Sequence, residues 1–419
     1  MITVPLFTRK KEILIAFLVV LLLGCISLFI EYQNYQSFIK EPLHVSKAIV
    51  LNHYQKTNEK GRTYDVFKLQ LESGVSFYTV SWKPKTIPLK SKVKVKFKIE
   101  NLSFLKYMQG FYATSLSLYE VDEDDTFFDV RKLYRWIEKQ HENAKATEFY
   151  TTLLFATPIS KELREDVQKW GITHLIAISG YNVGVISFLL FFFLKPIYQF
   201  FQDRYFPYRN ATADLSVVVF IFLFAYMCII DFVPSFLRAF VMSILGFFFF
   251  SRGIKILSFE TLAITILGIL AFHPPLFFSL SFWFSVAGVF YLFVFLHHFS
   301  HLNKWLLFIL LDIFVFISMI PIVHATFPVF TLLQLTSPLS SIVFIVFYPL
   351  SVFLHLIGQG GILDTLLLGF LHVKAQSYTL AVEQWMLIPY IGLSLLGIRF
   401  KEAMFASFGM ASLSFFLLF

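Results

Sequence analysis

HLIAISGYNVGVISFLLFFFL, His174 to Leu194, decides the fold class. Its second half, from Val185, is ten residues with one hydroxyl among apolar side chains, as a lipid-facing helix requires. Its first half carries a histidine, a serine, a tyrosine, an asparagine and two glycines. Polar groups at the mouth of an apolar segment are costly unless they pack, cap or bind. Similar apolar runs recur near 215–232, 235–250, 256–272, 276–296, 305–323, 338–357, 385–398 and 403–419, with shorter pieces at 327–337 and 362–373.

Composition agrees. Of 419 residues, 57% are hydrophobic and only 15% charged, against about 25% charged in soluble domains. The sequence predicts a polytopic α-helical membrane protein with an exported, small all-β domain of OB-barrel type near the N-terminus. Four regions are expected: a signal-anchor helix over 1–39, the β domain over 40–125, amphipathic interfacial helices over 126–173, and a multi-helix bundle over 174–419. Arg9, Lys10 and Lys11 precede the first apolar run, 13–30, which puts the N-terminus in the cytoplasm and the β domain outside. Lys195, Arg204, Arg209, Arg252, Lys255 and Lys304 fall on the cytoplasmic side in the same scheme.

Residues 44–119 read differently. Alternating runs at 44–51, 64–71, 75–82, 92–99 and 112–121 predict five strands. The clearest is KVKVKFKIE, where Lys92, Lys94, Lys96 and Lys98 alternate with Val93, Val95, Phe97 and Ile99. A period of two puts the lysines on one face and the apolar set in a core. Thirteen cations stand against Glu59, Asp65, Glu72 and Glu100 here, a surplus of nine in a chain whose total is +8. With Lys83, Lys85, Lys90, Tyr78 and Trp82, this face has cations for phosphates and rings for bases, as a single-stranded nucleic-acid platform needs. The competing reading is that the lysines guard an exposed edge strand.

Within the bundle, Asp231 and Arg238 flank the turn in IIDFVPSFLRAF and are expected either to pair or to line an aqueous path for phosphates. Ser179, Gly180 and Gly184 suit close helix contact, Asn182 an interhelical hydrogen bond, and His174 the interface. A serine-hydrolase reading of Ser179 needs a base, for which His273 and His324 are the candidates. Two cysteines, Cys25 and Cys228, give no disulfide framework, and no metal signature and no phosphate-binding G-x-x-x-x-G-K-[ST] loop occur. No cofactor, metal or enzymatic activity is expected.

WGITHLIAISGYNVG resembles the G-[LI]-x-H-L-[LI]-A-[IV]-S-G-L-H-V-G signature of the ComEC family of competence proteins. VPSFLRAFVMSILG, LAFHPPLFFSLSFWFSVAGVFYLF, PVFTLLQLTSPLSSIVFIVFYPL and the exported part through MQGFYATS resemble further segments of that family, in the same order. The resemblance implies a channel of the bacterial inner membrane that imports single-stranded DNA during natural transformation. It also implies a periplasmic DNA-receptor protein and a cytoplasmic ATPase or helicase as partners, with membrane lipid around the bundle; self-association is compatible with it. Tyr181 and Asn182 stand where relatives carry Leu-His, so no role of that histidine transfers. The metallo-β-lactamase-like domain of many relatives has no counterpart in these residues, so strand degradation is expected from another protein. The rival readings are a transporter of another polyanion or lipid-linked precursor, and the intramembrane hydrolase.

Overall fold

The computed structural model describes residues 6, 9–58, 61–82, 87, 91–121, 130–230, 232–253, 258–380 and 382–416. The chain divides into two compact units, Leu14–Ser160 with Leu267–Ser279, and Met1–Ile13 with Lys161–Ile266 and Leu280–Phe419.

Helix α1, Lys10–Ile39, is 30 residues long. At 1.5 Å per residue it extends about 45 Å, well beyond the ~30 Å of a hydrocarbon layer. The excess has a use. Its lipid-type stretch is exposed, but its last turns carry Tyr35 and Phe38 into the core of the β domain. The Tyr35 hydroxyl donates to the Leu102 carbonyl at 2.7 Å, and the Phe38 ring stacks on His44 at 4.5 Å. Membrane helix and β domain therefore share one core.

That domain holds β1 (Leu43–Thr57), β2 (Thr63–Leu71), β3 (Ser76–Ser81), β4 (Lys92–Lys98), α2 (Phe104–Gln109), β5 (Phe111–Tyr112) and β6 (Thr114–Glu120). The order in the sheet is β5-β3-β2-β1-β4-β6. Six strands replace the five expected, because Ala113 divides the last run between opposite edges. Val50, Phe67, Leu69, Phe77, Val93, Val95 and Phe97 are fully buried. Phe77 and Phe97 lie three strands apart in the order, about 14 Å in a flat sheet, yet their ring centroids are 4.4 Å apart. The sheet is thus rolled. Its edges approach where the Ser115 amide donates to Thr79 Oγ1 at 3.1 Å, but no backbone ladder joins β3 to β6 among the described residues. Two helices follow, α3 (Val130–Glu138) and α4 (Ala144–Phe155), held by Tyr134 edge-on to Phe155.

The second unit begins with α5 (Lys161–Lys169) and α6 (Thr173–Ile176). Then come α7 (Gly180–Tyr205), α8 (Ala211–Ile229), α9 (Pro234–Ser251), α10 (Phe259–Phe272, shared between the units), α11 (Leu280–Phe299) and α12 (Lys304–His324). A strand β7 (Val329–Thr331) and a 3-10 turn (Leu332–Thr336) lead into α13 (Ser337–Leu356). The last elements are α14 (Asp364–Leu371), β8 (Ser377–Thr379), which pairs antiparallel with β7, α15 (Gln384–Leu396) and α16 (Lys401–Phe416). Six described helices are long and apolar enough to cross a membrane: α1, α7, α8, α11, α12 and the stretch Leu332–Leu356. The chain is a polytopic helical membrane protein.

One span departs from expectation. The run read as helical from 175 is interrupted: α6 ends at Ile176, residues 177–179 are non-helical, and α7 starts at Gly180 and continues to Tyr205.

The rolled sheet has a direct test. Phe97→Ala should destabilise the β domain by about 3–5 kcal/mol, whereas Lys96→Ala on the other face should stay within about 0.5 kcal/mol. Denaturant unfolding of the purified protein, followed by near-UV circular dichroism, measures both.

Candidate functional site

The sheet delivers the lysines as the two-residue period requires. Val93, Val95 and Phe97 are buried while Lys94 and Lys98 are exposed and Lys92 and Lys96 half-exposed. Strand β4 is paired on both sides, to β1 and to β6. It is not an edge strand, so guarding a free edge does not explain its lysines. Cross-strand register puts Lys47 opposite Lys94 on one side and Tyr119 opposite it on the other. Tyr119 is 66% exposed, and it is the aromatic that sits within the lysine row. Tyr78, expected there, is on β3, opposite Lys68 and Tyr112. Lys68 lies 5.7 Å over the Tyr78 ring, and burial pushes its ammonium below the ordinary lysine range. Trp82 is exposed and packs on Tyr64 at 5.1 Å. Tyr78 and Trp82 therefore lie on and just after β3, beside β2, and not in the lysine row of β4. Lys83, Lys85 and Lys90 lie outside the described residues. Tyr119 was missed because its partner strand is fixed only by long-range pairing.

In the bundle, the opening motif is a broken helix, several of whose free backbone groups are met by side chains. Trp170 stacks on Phe370 at 3.9 Å and donates from Nε1 to the Phe370 carbonyl at 3.0 Å. Gly171 ends α5 at φ +66, and a Cβ there would lie 3.3 Å from Gln334 Cγ and 3.4 Å from Ser337 Cβ. Both the positive φ and the close approach call for glycine. Gln334 Nε2 donates to the Gln168 carbonyl at 2.9 Å, Ser337 Oγ to the Gly171 carbonyl at 3.1 Å, and Thr331 Oγ1 to the Lys169 carbonyl. Exposed His174 places Nδ1 3.0 Å from the same Gly171 carbonyl, which fixes the proton on Nδ1. The two helix breaks of the bundle, 170–179 and 329–337, are docked on each other.

Ser179 is the N-cap of α7. Its Oγ accepts from the Tyr181 amide at 3.3 Å, and Asn182 Oδ1 accepts from the Ser179 amide at 3.1 Å. This is a capping box with asparagine at the third position. Asn182 is fully buried, and the Tyr348 hydroxyl of α13 faces it and Tyr226 of α8. Among the described residues no histidine meets Ser179, and His324 Nδ1 is tied to the Phe327 carbonyl at 2.9 Å. A Cβ on Gly180 would meet Ala239 Cβ of α9 at 3.5 Å, whereas Gly184 has open space. Of the two glycines, only Gly180 lies against a neighbouring helix.

Arg238, in the second turn of α9, is 3% exposed. Its Nη2 donates to the Ser281 carbonyl in the first turn of α11 at 2.9 Å, and its Cζ lies 5.4 Å from the Phe282 ring centre. Nε and Nη1 meet no acceptor among the described residues. Asp231, the expected partner, lies outside the described residues. Among the described residues no carboxylate meets this guanidinium, and a buried guanidinium without a counter-charge is strongly destabilising. Ser235 Oγ donates to the Ile178 carbonyl, tying the start of α9 to the break before α7. Hence α7, α9 and α11 all begin at one end of the bundle, beside Arg238. No group of three or more His, Cys, Asp or Glu among the described residues is placed to hold a metal.

The glycine roles separate experimentally. Gly171→Ala should cost about 1–2 kcal/mol from the left-handed backbone alone, and the close approach adds to it. Gly184→Ala, in an open helical position, should be neutral or stabilising by up to about 1 kcal/mol. Thermal unfolding of the detergent-solubilised protein distinguishes them.

No curated protein and no solved structure matches the chain. A family model described as "Competence protein" matches residues 155–418, more than half of the chain and nearly all of the bundle. The docked breaks, the capping box at Ser179 and Arg238 all fall within that match, and the chain belongs to this competence-protein family of ComEC type.

Proposed function

We propose that the chain is an inner-membrane channel that imports single-stranded DNA into the cytoplasm during natural transformation. The observation that carries this reading is the lysine row on an interior strand. Lys92, Lys94, Lys96, Lys98 and Lys47 give a local field for phosphates, and exposed Tyr119 gives a base a surface to stack on. The rolled sheet, with its two edges drawn together at β5 and β6, supports an OB-type, partly open barrel. Membership of the competence family supports the DNA cargo.

The topology follows from charge. Arg9 precedes α1 and Lys11 lies in its first turn, and Arg204, Arg209, Arg252 and Lys304 lie at the opposite end of the bundle from the starts of α7, α9 and α11. The positive-inside rule then puts the β domain and those helix starts on the periplasmic side. DNA handed over by a periplasmic receptor would meet the lysine face first and cross through the bundle, with lipid outside it. The chain has no nucleotide-binding loop, so a cytoplasmic ATPase or helicase supplies the work. The chain itself performs no chemistry on the strand.

Replacing Lys92, Lys94, Lys96 and Lys98 together with Glu should abolish single-stranded DNA binding by the purified protein. In the unsubstituted protein those four contacts should contribute about 3 to the slope of log affinity against log salt, at about 0.7 per phosphate contact. Deleting the gene should abolish transformation while labelled DNA is still captured outside the inner membrane. Unchanged transformation overturns the import reading.

A further inference from the structure

Arg238 is the least economical side chain in the bundle. It is buried, carries a full charge, and leaves two of its three nitrogens without an acceptor among the described residues. Among the described residues its surroundings add no negative charge: Phe282 is fully buried beside it, and the next residue, Ala239, faces Gly180. The partner it does have, the Ser281 carbonyl, is a neutral dipole. Nor is the start of α9 closed by a side chain. Its N-cap is Val233, which makes no capping hydrogen bond, followed by Pro234. The site therefore combines an uncapped helix N-terminus with a buried, incompletely bonded guanidinium, at the point where α7 and α11 also begin. Backbone N–H groups at helix starts and an arginine are the usual donors for a phosphate oxygen.

We propose that Arg238, held where the first turns of α7, α9 and α11 meet, binds one phosphodiester group at a time inside the helix bundle. The charge sets the chemical class. A single guanidinium in an apolar wall neutralises one negative charge; a diester carries one, while a phosphate monoester carries up to two near neutral pH. Nucleic-acid backbone and phospholipid head share this group. Assigning it to the transported strand rests on the import reading, whereas the site itself does not.

The test uses the full-length protein in a phosphate-free maltoside detergent, with dimethyl phosphate as the probe and acetate and sulfate as controls. The protein with Lys92, Lys94, Lys96 and Lys98 all changed to Glu serves as background, so that the sheet face does not respond. Dimethyl phosphate should raise the unfolding temperature by about 2 °C or more in a concentration-dependent way. Acetate and sulfate should not match it. Arg238→Gln should lose the response while unfolding, without ligand, at or above the parent temperature, because an unpaired buried charge has gone. A merely structural arginine would instead lower that temperature. Should Arg238→Gln fail to fold, Arg238→Lys keeps the charge but not the fork, and at least a tenfold weaker response is expected. Absence of any response in the parent, an equal response to acetate, or a response retained in either variant overturns the site. A short single-stranded oligonucleotide displacing dimethyl phosphate supports the strand as occupant. Displacement by a short-chain phospholipid but not by the oligonucleotide overturns that assignment. Gene deletion tests the import reading separately, so the two can fail independently.

Discussion

Two interruptions of the long helices, around residues 170–179 and 329–336, lie among apolar helices, where free N–H and C=O groups are costly. The bundle depends on how they satisfy each other. The carbonyls of Gln168, Lys169 and Gly171, at the end of α5 and just beyond it, are taken up by Gln334, Thr331, Ser337 and His174, and Trp170 closes the joint on Phe370. Each donor is a side chain with few rotamers to lose or one already packed, so the joint is rigid as well as satisfied. Because Gly171 sits against Gln334 and Ser337 at contact distance, any side chain there would push the two breaks apart. The polar residues of the opening motif are thus explained first by backbone accounting and only then by function. Arg238 stands out because two of its three nitrogens close no such account among the described residues.

The β domain shows the same economy with a different solution. A small rolled sheet with an incomplete ladder has a limited core of its own, and α1 supplements it with Tyr35 and Phe38. The extra length of α1 beyond a bilayer span is spent inside that core. The lysine face therefore stands on a mount continuous with a membrane helix, and not on a tether. With β4 paired on both sides, its lysines have no open sheet edge to guard.

Much of this was legible in the sequence, for physical reasons. Long apolar runs mark spans because hydrocarbon leaves helices little alternative, and the runs read near 215–232, 276–296 and 305–323 correspond to α8, α11 and α12. The period-two pattern of residues 92–98 fixed which side chains are buried. What stayed hidden depends on contacts distant in sequence. The place of β4 inside the sheet, and hence of Tyr119 beside Lys94, follows from pairing with residues 114–120. The two edges reached by residues 111–120 cannot be inferred from their alternation. The Ser179–Asn182 capping box was present as a local pattern, but its small residues read equally well as a helix-contact surface. Gly184 shows how little G-x-x-x-G means without the neighbouring helix in place.

A channel for a polyanion faces a constraint that favours one arginine over a row of them. Binding must be strong enough to draw the strand into a low-dielectric region and weak enough to release each phosphate to the next position. Exposed lysines on β4 act through water, where each contact is weak, screened by salt and rapidly exchanged. A guanidinium inside the bundle acts at low dielectric, where the same charge attracts far more strongly. Several such groups in series would hold a strand fast, while none would leave a backbone phosphate uncompensated. In the proposed channel, many weak sites on the sheet face and a strong one at Arg238 would let an external motor move the strand forward. On the proposed reading, the nitrogens of Arg238 that lack acceptors among the described residues are left for passing cargo.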